Sequence, residues 1–113
     1  MTNTWRAGLV VLAATAWHMS PALAQGETKG DAEAGRIKAS TCMGCHGIAS
    51  YRNVYPTFNV PKLGGQHEAY IQSALEAYRS GKRSHPTMQG QAASLSDQDI
   101  ADISAFLANA PQE

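Results

Sequence analysis

Cysteine and net charge are both scarce in this sequence. The 113 residues contain only two cysteines, Cys42 and Cys45, which excludes a disulfide-stapled scaffold and a four-cysteine zinc site. Lys and Arg together number nine, and so do Asp and Glu, which excludes an extended basic surface for nucleic acid. The length allows one small domain.

The amino-terminal residues have the pattern of an export signal. Arg6 gives a positive start, residues 7–17 form an apolar stretch, and Ala22-Leu23-Ala24 has the small-x-small pattern of a signal peptidase site. An uncleaved membrane anchor is the alternative, but the apolar stretch is far shorter than the ~20 residues that span a bilayer. We therefore predict that residues 1–24 are a cleaved secretory signal peptide and that the protein is periplasmic, with no membrane span after cleavage.

Cleavage leaves residues 25–113 as the mature domain, and this domain has few large apolar side chains. Both tryptophans, Trp5 and Trp17, lie in the signal peptide, and only eleven Ile, Leu and Val residues remain in a mature chain with a net charge of −1. So short a chain with so few apolar residues usually needs a metal, a cross-link or a large cofactor.

The mature sequence predicts an all-α fold. Helical periodicity and capping residues indicate three main helices, at residues 32–40, 67–80 and from Ser96 to about Ala110. Residues 48–66 and 82–93 are interpreted as irregular loops, and no strand-like alternation is present. Loops of this length in a small domain are usually functional or wrapped around something.

One motif carries the chemistry. Cys42, Cys45 and His46 form C-x-x-C-H, the spacing of covalent c-type haem attachment, with the histidine as an iron ligand. A redox dithiol is disfavoured because no strand precedes the motif, and a zinc site because His67 and His85 lie at no zinc-finger spacing. A structural disulfide would constrain little chain. We predict one covalent haem c per chain.

The candidates for the second axial ligand are reduced by elimination. Electron-transfer haems take Met or His on the distal side. Met43 lies between the attachment cysteines, and His67 opens a helix whose apolar stripe excludes it. Met88 and His85 remain, and Met88 is favoured by ligand type and loop position. A methionine raises the reduction potential and fills the sixth site, which predicts electron transfer and no enzymatic activity.

The mature sequence resembles the class I cytochromes c, specifically a monohaem bacterial cytochrome or one half of a dihaem cytochrome c4. The resemblance covers residues 30–110 and implies a small cytochrome c fold, with three main helices and long loops wrapped around one covalently bound haem. It is carried by CMGCHG at 42–47, PKLGGQ at 61–66, the helix with Tyr70 and Tyr78, RSGKRSHPTM ending at Met88, and LSDQDI at 95–100.

The resemblance also implies roles for individual residues. Gly35 and Phe106 match the small and aromatic residues at which the first and last helices cross. Pro61 would accept a hydrogen bond from Nδ1 of His46, which fixes the tautomer and basicity of the proximal ligand. Leu63 would line the haem pocket.

Three further residues have open roles. Arg79 and Arg83 are candidate partners of a haem propionate or solvated charges. His85 stands where many relatives have asparagine, and a titratable group beside Met88 would make the midpoint potential depend on pH between 5 and 8.

The predicted function is periplasmic electron transfer between redox proteins whose identity the sequence does not give. Docking is expected at the small, apolar surroundings of the attachment cysteines, at Met43, Gly44, Ile48 and Ala49. The protein is expected to be a monomer or a subunit of a hetero-complex. The alternative is a haem c subunit of a periplasmic dehydrogenase complex, such as a sulfide- or alcohol-oxidising one, and a gas sensor would require an open iron site.

Overall fold

The computed structural model describes residues 28–111. Within this range the chain forms five helices and one antiparallel hairpin, which confirms the predicted helical fold class. The helices are α1 (Ala32–Lys38), α2 (Ser40–His46), α3 (Glu68–Arg79), α4 (Pro86–Ala92) and α5 (Asp97–Asn109), and the strands are β1 (Arg52–Val54) and β2 (Thr57–Asn59). The predicted signal peptide lies outside the described residues.

Helices α1 and α5 cross in backbone contact. A Cβ atom on Gly35 would overlap the carbonyl oxygen of Asp102 and lie 2.8 Å from Cβ of Phe106. Gly30 meets the carbonyl of Ala101 in the same way. The expected pairing of Gly35 with Phe106 is therefore confirmed, and it accounts for a glycine inside a short helix.

A buried carboxylate holds α1 and α5 together at this crossing. Asp102 of α5 is 2% exposed and accepts hydrogen bonds from the Asp31 backbone N–H (2.8 Å), from Gln98 Nε2 (2.7 Å) and from Lys38 Nζ (2.7 Å). Lys38 Nζ also lies 2.7 Å from Asp99 Oδ1. The Lys38 ammonium, reinforced by hydrogen bonds from neighbouring groups, lowers the pKa of both aspartates. We call these five residues the Lys38 cluster.

The Lys38 cluster predicts an acid-sensitive fold. Because the folded-state pKa values of Asp102 and Asp99 lie below the unfolded value of about 3.9, their contribution to stability is present above about pH 4 and is lost as pH falls through the folded values. Asp102→Asn is expected to lower the melting temperature at pH 7 by several degrees, because an amide faces the Lys38 ammonium. The difference from wild type should shrink in melts below pH 4.

The matched control removes an exposed carboxylate. Glu33 pairs with Arg36 at 2.9 Å, with both side chains largely in solvent. Exposed pairs contribute little, so Glu33→Gln should leave the melting temperature nearly unchanged. Equal losses from the two substitutions would contradict a structural role for the buried cluster.

The core lies where α5 packs against α3, and it is small. A capping box between Ser96 and Asp99 starts α5, as expected from the sequence. Among the described residues, only five of the nine buried hydrophobic residues are larger than alanine, which agrees with the shortage inferred from composition. These five are Ile71, Leu75, Ile100, Ile103 and Leu107. Partly buried side chains border this core: Cys42, Leu63, Met88, Leu95 and Phe106.

The prediction that residues 48–66 are irregular is wrong in part. Strands β1 and β2 pair in antiparallel register within this segment, with Asn53 opposite Phe58. Tyr55 and Pro56 form the turn, and the peptide bond between them is cis. Each strand has only three residues, which is too short for alternation to be recognised in the sequence.

The prediction that residues 82–93 are a loop is also wrong in part, because α4 lies inside it. Pro86 occupies the first helical position and His85 is the N-cap. Proline at this position is a helix-start signal, but the poor helix propensity of Gly90 obscures the helical pattern that follows it. The first predicted helix, at 32–40, ends earlier than expected, since Ala39 separates α1 from α2.

No helix between residues 28 and 111 is both long enough and apolar enough to cross a bilayer.

Candidate functional site

Helix α2 presents the two cysteines. Cys42 and Cys45 are three residues apart in α2 and therefore lie on one face of the helix. They do not form a disulfide with each other. Cys42 is half-buried beside the core and Cys45 is exposed, and burial raises the pKa of the Cys42 thiol. One attachment sulfur thus lies at the edge of the core and the other at the surface.

His46, the last residue of α2, is held by a backbone carbonyl. Its Nδ1 lies 2.6 Å from the carbonyl oxygen of Pro61, the hydrogen bond that the family resemblance implies. A carbonyl only accepts, so Nδ1 carries the proton and Nε2 keeps a free lone pair for a metal. The hairpin positions this carbonyl. Val60 N–H donates a hydrogen bond to the Tyr51 carbonyl (2.9 Å), which closes the hairpin immediately before Pro61.

Leu63 and Met88 approach the core from two different segments. Both are partly buried and pack against the core cluster, as Cys42 does. Leu63 belongs to a turn in which Gln66 N–H donates to the Leu63 carbonyl at 3.1 Å. Met88 is in the first turn of α4. The structure therefore packs a cysteine, a leucine and a methionine from three different segments against the core.

His85 makes a different hydrogen bond from that of His46, because its Nδ1 accepts a hydrogen bond instead of donating one. Its Nδ1 accepts the backbone N–H of Met88 at 3.4 Å and so caps α4. Its ring makes an edge contact with Phe58, with centroids 4.7 Å apart. His67 is exposed at the start of α3. This arrangement favours Met88 over both histidines as the distal ligand.

Both candidate propionate-binding arginines have protein partners. Arg79 donates to the Leu95 carbonyl (2.8 Å) and forms an ion pair with Asp97 (2.6 Å), which ties α3 to the start of α5. Arg83 donates to the Tyr70 hydroxyl (3.3 Å) and lies over the ring of a second tyrosine. The Arg79 ion pair could not be predicted from the sequence, where the only hint is the acidic residues that open α5.

This donor set fits a covalently attached haem. Two thiols lie on one helix face, an imidazole has Nε2 free, and Leu63 and Met88 border a core with few large side chains. Among residues 28–111, no three His, Cys, Asp or Glu side chains group as a metal site. Two cysteine sulfurs and an imidazole at this spacing suit a cofactor that is attached through sulfur and brings its own iron.

Comparison with known proteins supports this assignment. The family model described as cytochrome c matches residues 32–111. The chain is 44% identical over 80 residues to a cytochrome c4 of Pseudomonas aeruginosa, covering 71% of this chain and 38% of the relative. It is 42% identical over 80 residues to cytochrome c-554(548) of Halomonas halodenitrificans, covering 68% of this chain and 93% of the relative. A Stutzerimonas stutzeri protein named thiosulfate dehydrogenase electron acceptor is 37% identical over 73 residues, covering 65% of this chain and 33% of the relative.

Solved structures agree on the fold. The structure of Acidithiobacillus ferrooxidans cytochrome c4 matches with a TM-score of 0.56 at 26% identity, covering 75% of this chain and 52% of the other. The chain thus spans about half or less of the cytochrome c4 proteins that it matches, and nearly all of the shorter Halomonas protein.

Proposed function

The chain belongs to the cytochrome c family as a cytochrome c4-like electron-transfer protein with covalent haem c, and we propose that it is a periplasmic carrier of single electrons with iron ligands His46 and Met88. The observation that carries this proposal is the 2.6 Å contact between His46 Nδ1 and the Pro61 carbonyl oxygen. That contact occupies Nδ1 and leaves Nε2 available, as a proximal ligand requires.

The side chains that would bind the haem determine the properties of its iron. When bound, haem supplies an iron that accepts and releases one electron. His46 would bind the iron through Nε2, and the Pro61 carbonyl would make the imidazole more basic. Met88 would supply a neutral thioether, which raises the reduction potential relative to a second imidazole. Cys42 and Cys45 would hold the macrocycle by thioether bonds, and Leu63 would help to exclude water from the pocket.

An electron carrier rather than an enzyme follows from this ligand set. If His46 and Met88 both bind the iron, they would leave no coordination position for a substrate or for oxygen. The protein's contribution is then to orient the haem, keep it dry and expose one edge to redox partners.

Periplasmic location follows from the predicted signal peptide and the haem attachment motif together. Covalent attachment takes place after export, so the C-x-x-C-H motif and the predicted signal peptide at residues 1–24 support each other. The intact mass of the protein from a periplasmic fraction should equal that of residues 25–113 plus one haem. A mass that includes residues 1–24 would contradict cleavage.

The proposed docking surface surrounds the attachment cysteines. We call Met43, Gly44, Ile48 and Ala49 the attachment face; all four are exposed, with Ile48 at 46%. The face carries no charged side chain. Weak apolar contacts without strong electrostatic steering are therefore expected, since steering needs clustered like charges.

Electron self-exchange tests this function without a known partner. Mixtures of oxidised and reduced protein should show fast exchange by NMR line broadening. Ile48→Lys should slow this exchange by about tenfold, because two copies would then bring like charges together at the haem edge. The control, Val54→Lys, changes an exposed apolar residue of the hairpin and should leave the rate near wild type. Equal rates in all three proteins would contradict docking at the attachment face.

A subunit role in an oxidoreductase complex is the second candidate. The similarity to a protein named thiosulfate dehydrogenase electron acceptor supports a dehydrogenase as electron donor. Co-purification with a flavin, quinone or haem enzyme from the native cells would favour a subunit. A free monomer that is readily reduced and reoxidised would favour a carrier.

A further inference from the structure

His85 connects the β-hairpin to the helix that carries Met88. Its Nδ1 accepts a hydrogen bond from the backbone N–H of Met88, the third residue of α4. Because the first amides of a helix have no partner within the helix, this bond fixes the turn that presents Met88. The bond requires a lone pair on Nδ1, so the ring carries its proton on Nε2.

The His85 ring is in turn held from two sides. Phe58 of β2 contacts it edge-on, with centroids 4.7 Å apart and planes at 86°. Tyr78 of α3 lies 6.4 Å away at 77°. Phe58 itself is half-buried and paired across the hairpin with Asn53. The orientation of the capping ring thus depends on the position of the hairpin.

The same hairpin also supports the opposite ligand. Three residues after Phe58, Pro61 accepts the hydrogen bond from His46. Two short contacts, Phe58 with His85 and Pro61 with His46, therefore link one small hairpin to both segments that supply axial ligands.

We infer that His85 is a positioning residue for Met88, and that Phe58 holds the His85 ring in the capping orientation. This inference rests on the proposed ligation by Met88. An asparagine at position 85 would also cap the helix, but it would offer no ring for Phe58 to contact. The histidine therefore adds a link from the hairpin to the methionine that a plain cap would lack.

The test is the rate at which added imidazole displaces Met88 from the oxidised haem protein. His85→Leu removes both the capping acceptor and the ring that Phe58 contacts, and should raise that rate by about fivefold to tenfold, as expected for loss of a helix cap. His85→Asn keeps the cap and should give a smaller increase, equal to that of Phe58→Leu. The double variant should be no faster than either of these two, because both remove the same contact.

The control and a second readout separate positioning from general destabilisation. Val54→Thr alters an exposed hairpin residue and should leave the displacement rate at the wild-type value. Hydrogen exchange of the Met88 amide should accelerate in His85→Leu and be largely restored in His85→Asn. This readout reports on the cap directly and does not depend on electron transfer.

The outcomes distinguish this inference from the function on which it rests. If Met88→Ala loses the sulfur-to-iron charge-transfer band, but the displacement rates of the His85 and Phe58 variants match Val54→Thr, the positioning role is wrong and the ligation stands. If Met88→Ala keeps the band, the ligation is wrong and the positioning role falls with it.

Discussion

Gly35→Ala is expected to destabilise the protein by about 3 kcal/mol or to prevent folding. The new Cβ would overlap the Asp102 carbonyl oxygen and lie 2.8 Å from Cβ of Phe106. The first obstacle is backbone and cannot rotate away, so α1 and α5 would have to separate. Separation would also stretch the contact of Lys38 with Asp102, which adds to the loss. Chemical unfolding of the haem protein measures the change in the free energy of unfolding.

Gly90→Ala is the matched control. Gly90 lies inside α4, and a Cβ there would meet nothing within 4 Å. Alanine is favoured over glycine in a helix by about 0.5–1 kcal/mol, so this substitution should leave the protein as stable as wild type or more so. Similar losses from Gly35→Ala and Gly90→Ala would contradict the close crossing of the two helices.

Replacing both Cys42 and Cys45 with serine is expected to abolish covalent haem. Wild type should keep one haem per chain after denaturation, and the double variant none, because no sulfur remains to form a thioether. The apoprotein should also unfold at a much lower temperature, since a core with five large side chains must then fold without its largest apolar group. Intact mass after acid denaturation and far-ultraviolet circular dichroism check these two results.

The single cysteine variants are expected to differ. Cys42 is half-buried beside the core, whereas Cys45 is exposed, so Cys42→Ser should cost more stability than Cys45→Ser. Gly44→Ser is the control, because it changes the same helix at a position with no neighbour within 4 Å and keeps the motif. It should bind one haem covalently, and a haem-free Gly44→Ser would show that helix formation, not the thiols, limits attachment.

The sequence predicted features in which one residue or a fixed spacing determines the structure. The cysteines and His46 lie at a spacing with one principal use, and Ser96 caps α5 because hydroxyl capping depends on local chemistry. Gly35 at the crossing could be inferred because glycine is costly in a helix unless another chain segment approaches closely. The Pro61 carbonyl could be placed only through family resemblance, since no local rule links residues 46 and 61.

Features that depend on long-range contacts could not be predicted. Lys38 and Asp102 are 64 residues apart, and nothing near either one indicates the pairing. The hairpin is too short for its period to be recognised, and Phe58 meets His85 only after the chain has folded. The helix that carries Met88 could not be recognised from hydrophobic periodicity, because it contains a glycine and several polar residues. Pro86 after His85 is the one local signal of its start.

The optical spectrum of the oxidised protein, measured for wild type and Met88→Ala side by side, tests the assignment of Met88 as an iron ligand most directly. Wild type should show the weak sulfur-to-iron charge-transfer band, and the variant should lose it while keeping its covalent haem. The variant should also have a lower reduction potential, because the thioether no longer favours ferrous iron. A band that persists in Met88→Ala would contradict the account, since residues 25–113 contain no other methionine than Met43, which lies between the attachment cysteines.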